Sequence, residues 1–233
     1  YSFGLTAVYA VLSMAIINLV AFALALLVTQ ELKLRNVYRT GFFLPNLIGG
    51  LVLGYIWQFI FNAALPAAGD ALHVEALRAS LLASSRPAFF ALIFVYSWQY
   101  AGYIMMIYIA ALQNVPRDLL EAAAIDGAAG WQRLRHITLP MIAPAFTVAS
   151  FLTLVNSFKM FDVNVSLTNG QPTAEFLGRP VFGTELVAMN IYNTAFSLNR
   201  MAEAQAKAVV FFVVLVVVSL LQVYFNKKRE VEM

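Results

Sequence analysis

The chain of 233 residues has no cysteine and only two histidines, and these absences exclude several classes of function. Without thiols there is no disulfide framework, no thiolate nucleophile and no cysteine metal site. The sequence also lacks a G-x-x-x-x-G-K-[ST] phosphate loop, an H-E-x-x-H zinc motif and a G-x-S-x-G nucleophile elbow. No catalytic residue and no metal ligand is therefore predicted, and ATP is not expected to bind this chain through a phosphate loop.

Charge is also scarce. Charged residues make up 12% of the chain and hydrophobic residues 61%, with a mean hydropathy of +0.77. Such a composition is typical of an integral membrane protein and excludes an ordinary soluble domain. The net charge of +3 is too small to indicate nucleic-acid binding. We expect a single all-α membrane domain over residues 1–233, embedded in lipid.

Five apolar stretches are long enough to cross a hydrocarbon core about 30 Å thick, which needs about 20 residues of helix. None is followed by a small-residue cleavage site, and the first lacks a basic leader, so no signal peptide is predicted. The predicted spans are Leu5–Val28, Gly41–Phe61, Ala88–Leu112, Ile142–Phe161 and Ala204–Phe225.

Lysine and arginine concentrate in alternate connectors, which sets the orientation. One side of the membrane receives Lys33, Arg35, Arg39, Arg117, Arg133, Arg135, Lys227, Lys228 and Arg229. The other side receives fewer basic residues, and its loops also carry acidic residues. The basic residues on that side are Arg78, Arg86, Arg179 and Arg200. The side richer in basic residues is expected to be cytoplasmic. This topology places Tyr1 outside and puts His73 and His136 on opposite sides, where they cannot share a metal ion.

A polar segment from Glu121 to Pro140 separates two strongly apolar runs. Proline is favoured at the first helical position, so a short helix is predicted to start after Val115. Gly127 and Gly130 are predicted to form the tight turn that ends it. The segment should fold as a helical hairpin.

The same segment reads E-A-A, three residues, G, nine residues, I-x-L-P. It resembles the cytoplasmic loop of the integral membrane permeases of binding-protein-dependent ABC importers. The resemblance implies a coupling loop over residues 113–140 that docks on an ATP-hydrolysing subunit. The alternative is an ordinary hairpin that joins two spans. The residues expected to couple to the ATPase are Glu121, Ala122, Ala123, Asp126, Gly127, Ile137, Leu139 and Pro140.

The resemblance has further implications for the fold and its partners. It implies the type I importer permease fold, a location in the plasma membrane of a bacterium or archaeon, and a further N-terminal span before Tyr1. It also implies a second permease subunit, two ABC ATPase subunits that carry ATP and magnesium, and an extracytoplasmic sugar-binding protein. No cofactor is expected on this chain itself, and transport by alternating access is the expected mechanism.

Two spans carry residues suited to a substrate path. Tyr96, Tyr100 and Tyr103 follow helical spacing and so share one face of the third span, where their rings would stack on a sugar. Aromatic side chains also gather at membrane interfaces, and the two interpretations stay open. The fourth span is interrupted by four polar residues, which are costly in lipid unless they line a pathway: Thr153, Asn156, Ser157 and Lys159.

Lys159 has an alternative interpretation, in which it pairs with Asp162 at helical i,i+3 spacing. The stretches Ser157–Asp162 and Leu167–Pro172 are similar to the carbohydrate-uptake group that includes the maltose permeases, although Gln171 replaces a glycine of the usual L-T-x-G-G-P. The resemblance therefore implies import of a sugar or oligosaccharide. Another solute, such as an amino acid or inorganic anion, and an ATP-independent channel or secondary transporter remain as alternatives.

Three other segments carry structural predictions. Glycines and Pro45 allow the second span to kink and to pack closely against its neighbours, and its interpretations as a packing surface and as a flexible gate helix both stay open. The extracytoplasmic loop, residues 162–202, should contain a short helix over Glu185–Ala195. The last span consists largely of valine, phenylalanine and leucine, so most of it is expected to face lipid.

Overall fold

The computed structural model describes residues 1–30 and 33–227 of the chain. Two long helices form its centre. Helix α1, Ser2–Thr29, and helix α6, Ser85–Gln113, pack along each other and against α10, Ala143–Phe158. The buried residues of α1 recur every three or four positions, as expected for one helix face against a core. They are Thr6, Tyr9, Ala10, Ser13, Ile17, Ala21, Ala25 and Val28.

Within the described ranges, four helices are long and apolar enough to span a membrane: Ser2–Thr29, Gly50–Ala71, Ser85–Gln113 and Met201–Lys227. A fifth span is formed by Gly130–Met141 and Ala143–Phe158 if this pair, bent by 68°, counts as one. The five-span prediction therefore agrees with the upper count. The first, third and fifth predicted spans lie wholly inside their helices.

The predicted start of the second span at Gly41 is wrong. Residues 35–47 form the separate helix α2, Arg35–Phe43, followed by a 3₁₀ turn, Leu44–Leu47. Ile48 and Gly49 are extended, and the span begins at Gly50. The helical run continues through Pro45 to Leu47 and is interrupted at Ile48 and Gly49, so the predicted kink becomes a complete break.

After the break, the second span continues to Ala71, beyond the predicted end at Phe61. Helix α3, Gly50–Phe59, passes through a π-helical turn, Ile60–Ala64, into α4, Leu65–Ala71. A π turn before a proline accommodates the missing hydrogen bond, which lets the helix continue past Pro66. A short helix, α5 (Glu75–Arg78), completes this connector.

The polar hairpin consists of α7, Arg117–Ile125, then α8, Gly130–Arg133, a π-helical turn, Leu134–Thr138, and α9, Leu139–Met141. Helix α7 starts one residue after the predicted first position, Pro116. The bend after Met141 leads into α10. Because α10 has only 16 residues, the fourth span depends on the preceding helical segment to reach across a bilayer.

Residues 162–202, predicted to be the extracytoplasmic loop, contain α11, Asp162–Leu167, and a two-stranded hairpin that was not predicted. Strand β1, Thr173–Phe176, pairs antiparallel with β2, Arg179–Phe182. Leu177 and Gly178, at the tip, both have positive φ, the geometry of a tight two-residue hairpin turn. The all-α expectation holds for the rest of the described chain.

The short helix predicted in the same loop is present as α12, Val187–Tyr192, with a π-helical turn, Asn193–Ser197. It leads into α13, Met201–Lys227, in which Ala204 is the buried residue. Most of this helix is exposed, as expected for a span that faces lipid. Lys228 and Arg229, which belong to the predicted charge distribution, lie outside the described residues.

Candidate functional site

An open cleft of about 270 Å³ lies between α3, α6 and α10. It sits at the level of Gln99, the central residue of Ser85–Gln113, and therefore near the middle of a membrane crossed by α6. Four of the seven predicted path residues line it: Tyr96, Tyr100, Asn156 and Lys159. The other lining residues are Asn46, Gly50, Gln99, Met160, Phe161, Asp162 and Val163.

The tyrosines of α6 share one face, as predicted. The rings of Tyr96 and Tyr100 stack with centroids 5.5 Å apart and an interplanar angle of 19°. Tyr103 contacts Tyr100 at 5.4 Å but does not line the cleft. Its contact with substrate stays a prediction.

Asn156 joins the two helices that form the walls. Its Nδ2 donates to the Tyr100 hydroxyl at 2.6 Å and to the carbonyl of Leu152 at 2.9 Å. On the same level, Gln99 Nε2 donates to the carbonyl of Ile48 at 2.9 Å. The break before α3 leaves the Ile48 carbonyl in need of a hydrogen-bond donor, and Gln99 provides it. The Gln99 side chain therefore stabilises the break and also lines the cleft.

The predicted ion pair between Lys159 and Asp162 is absent. Both residues line the cleft, but neither forms an ion pair within residues 1–30 and 33–227. Helix α10 ends at Phe158, and Phe161 has φ −135° and ψ −59°. Without a continuous helix the i,i+3 spacing no longer brings the two side chains together. Lys159 is instead exposed at the cleft.

Thr153 and Ser157 lie on α10 but are buried behind the cleft instead of lining it. Thr153 Oγ1 accepts a hydrogen bond from Asn18 Nδ2 at 2.9 Å, and the Tyr108 hydroxyl donates to Asn18 Oδ1 at 2.6 Å. These bonds link α1, α6 and α10. These contacts give Thr153 a role in packing, and its place in a substrate path stays a prediction.

Sequence reasoning did not assign Asn18, Asn46 or Gln99 to a site. A signal for Asn18 and Gln99 exists, because an amide inside an apolar run is costly in lipid unless it has a partner. Asn46 lies beside Pro45, and both residue types are typical of turns. Its local sequence therefore does not show whether Asn46 lines a cleft or only forms part of a turn.

The coupling loop, residues 113–140, projects from the helices. No residue of α7 is buried, and Ile125 is 87% exposed, with Leu119 and Trp131 also exposed. Gly127 has φ +80°, and the Ala128 amide donates to the Ala123 carbonyl at 2.9 Å, which closes the end of α7. Exposed apolar side chains on such a projection indicate a protein contact surface.

The residues predicted to couple fall into two groups. Glu121, Ala122, Asp126 and Gly127 are exposed, and Ala123 is partly so. Ile137, Leu139 and Pro140 are partly buried in the helical segment that leads to α10. The second group therefore connects the exposed surface to the fourth span. Gly130 does not form the predicted turn: it is the first residue of α8 and lacks a positive φ.

Most of the chain matches a known protein family. Residues 17–231 match the family model described as binding-protein-dependent transport system inner membrane component. The chain belongs to this family.

Two relatives of this inner membrane component support the assignment. It is 50% identical over 228 residues to the "probable starch degradation products transport system permease protein AmyD" of Thermoanaerobacterium thermosulfurigenes, covering 98% of the chain and 75% of that protein. It is 33% identical over 201 residues to the "multiple sugar-binding transport system permease protein MsmF" of Streptococcus mutans, covering 86% of the chain and 67% of that protein.

The fold of the inner membrane component is similar to that of a bacterial ABC transporter involved in the import of alginate, with a TM-score of 0.82 at 22% identity. The match covers 97% of this chain and 78% of the other. The resemblance stated from the 121–140 segment, the importer permease fold and the inner-membrane location are thereby confirmed. The chain is a transport subunit, consistent with the prediction of no catalytic residues.

Proposed function

We propose that this inner membrane component is the permease subunit of an ATP-driven ABC importer for a sugar or oligosaccharide. The observation that carries the proposal is the cleft at the centre of α6, where stacked tyrosines and amide side chains meet. Aromatic faces stack on the apolar faces of sugar rings, while amides and hydroxyls bind sugar hydroxyls. The names of the two relatives, which refer to starch degradation products and multiple sugars, point to the same solute class.

The cleft is open along one side, so the chain provides half of a translocation path and a second permease provides the other half. We expect two ABC ATPase subunits to carry ATP and magnesium, and an extracytoplasmic binding protein to deliver the sugar. Closure of the ATPase dimer moves the coupling loop, and the rigid segment from Gly130 to Met141 transmits that movement to α10. Each state of the ATPases then favours one of two arrangements of the spans, which is alternating access.

The test is sugar-stimulated ATP hydrolysis and uptake by the assembled importer, reconstituted with its binding protein and offered a panel of glucose oligomers, other sugars, amino acids and anions. We expect stimulation by a neutral sugar. Tyr100→Ala removes a stacking ring from the cleft and should lower uptake at least tenfold. Tyr103→Ala is the matched control, because Tyr103 lies on the same face outside the cleft. Equal uptake by the two variants would contradict a sugar site at Tyr100.

A second candidate is an anionic solute, because Lys159 is exposed at the cleft without an ion pair among the described residues. The two candidates separate in one variant. Lys159→Met should abolish uptake of an anion, whose charge has lost its counter-charge, and should leave uptake of a neutral sugar within a few-fold of the native value.

A further inference from the structure

A second cavity, about 410 Å³, lies where α1 and α6 end and the coupling loop begins. It shares no lining residue with the mid-membrane cleft. Its apolar walls come from three different parts of the chain: the end of α1, the end of α6, and the hairpin of α7 and α8. The apolar lining residues are Leu26, Leu112, Val115, Leu120 and Leu134.

The remaining lining residues are Gly130 and four polar residues, Thr29, Gln30, Arg133 and Thr138. Thr29 Oγ1 already donates to the Ala25 carbonyl at 2.6 Å. Arg133 differs, because its Nε is buried and has no hydrogen-bond partner, and the side chain forms no ion pair in the part of the chain that the structure describes. A buried, unpaired guanidinium nitrogen is costly, and an anion within reach would remove that cost.

The cavity lies at the level of lipid headgroups. Helices α1 and α6 have 28 and 29 residues, about 42 to 44 Å at 1.5 Å per residue, which exceeds a hydrocarbon core of about 30 Å. Their ends, at Thr29 and Gln113, therefore reach the interface. The side that they reach is the basic one, as expected for the cytoplasmic face.

We propose that this cavity binds an anionic phospholipid of the inner leaflet, with its phosphate at Arg133 and part of an acyl chain against the leucines. The apolar walls favour a lipid over free phosphate, because a small hydrated anion gains nothing from leucine side chains. Basic pockets at the ends of membrane helices bind acidic headgroups by the same combination of charge and apolar contact. The lipid contacts α1, α6, α7 and α8 together, and so links the spans to the coupling loop.

The experiment uses the assembled importer in nanodiscs of phosphatidylcholine that contain a minor fraction of phosphatidylglycerol. Native mass spectrometry counts the phosphatidylglycerol retained after extraction. Arg133→Gln should weaken retention roughly fivefold, the size expected for one basic residue at an anionic membrane surface. Arg135→Gln is the matched control, with the same change of charge at an exposed residue that does not line the cavity.

A second variant tests the volume of the cavity without altering the charge. An added Cβ at Gly130 meets no atom within 4 Å, and its φ is not positive, so the backbone accepts a side chain there and Gly130→Leu adds apolar volume at the wall of the cavity. It should lower phosphatidylglycerol retention as Arg133→Gln does. Equal retention by Arg133→Gln and Arg135→Gln would overturn the proposal. Displacement of the lipid by millimolar inorganic phosphate would overturn it as well.

Discussion

At the scale of single residues, Asn18 makes the contacts with the clearest energetic consequence. It accepts the hydroxyl hydrogen of the fully buried Tyr108 and donates to Thr153. Asn18→Leu leaves the Tyr108 hydroxyl buried without an acceptor, at a cost of about 1–3 kcal/mol. We expect a lower midpoint of thermal unfolding for the purified importer, measured in a single detergent.

The matched variant is the double substitution Asn18→Leu with Tyr108→Phe. Removing both polar partners takes away the unsatisfied group, so the double variant should be more stable than Asn18→Leu alone. Thr153 keeps a partner in both, because its hydroxyl donates to the Ala149 carbonyl at 2.8 Å. If the double variant unfolds at a lower temperature than the single one, the hydroxyl is not the source of the loss.

The contacts of the residues predicted from sequence depend on which neighbouring helix they face and on where their own helix ends. Tyr100 was predicted from the helical spacing of the tyrosines and Asn156 from the cost of a polar group in an apolar span, and the structure brings the two into hydrogen-bond contact. Thr153 gave the same signal, but it faces α1. Sequence spacing shows that a polar residue is present in a span without showing which neighbouring helix it meets. The Lys159–Asp162 pair does not form because α10 ends at Phe158, before both residues.

At the scale of elements, the turn between α7 and α8 offers a matched pair of glycines. A Cβ at Gly127 or Gly130 meets no atom within 4 Å, but Gly127 has φ +80°. Gly127→Ala therefore destabilises the turn through the backbone alone, because a residue with a side chain costs about 1–2 kcal/mol in the left-handed conformation. We expect it to lower transport-coupled ATP hydrolysis in the reconstituted importer, with the complex still in the membrane.

Gly130→Ala is the control, since its backbone is ordinary and alanine favours helix more than glycine does. It should retain native coupling. Loss of coupling in Gly130→Ala to the same extent as in Gly127→Ala would show that added bulk, and not the geometry of the turn, disturbs the loop.

Elements with a simple apolar pattern were predictable, and those shaped by breaks were not. Helices α1, α6 and α13 follow from hydropathy and length alone. The second span was misplaced because the apolar run continues through Ile48 and Gly49 while the helix does not. The hairpin of β1 and β2 was missed because its strands have four residues each and its turn, Leu177-Gly178, is not one of the usual turn pairs.

At the scale of the whole molecule, function depends on which side of the membrane each loop occupies. The charge distribution places the coupling loop inside and the β1–β2 hairpin outside. If the coupling loop were outside, it could not meet an ATPase, and the basic cavity with Arg133 would face the wrong leaflet. The proposed importer mechanism and the proposed lipid site therefore share this one requirement.

Because the chain has no cysteine, its orientation can be tested with single substitutions and no background in the chain itself. Leu177→Cys places a thiol at the hairpin tip, where Leu177 is 86% exposed, and Asp126→Cys places one at the exposed end of α7. In intact cells with the outer envelope permeabilised, a membrane-impermeant maleimide should label Leu177→Cys and spare Asp126→Cys. Labelling after denaturation should then reach Asp126→Cys as well, and it gives the total amount of each variant. Labelling of Asp126→Cys in intact cells would place the coupling loop outside, and the importer mechanism would have to be abandoned together with the inner-leaflet lipid site.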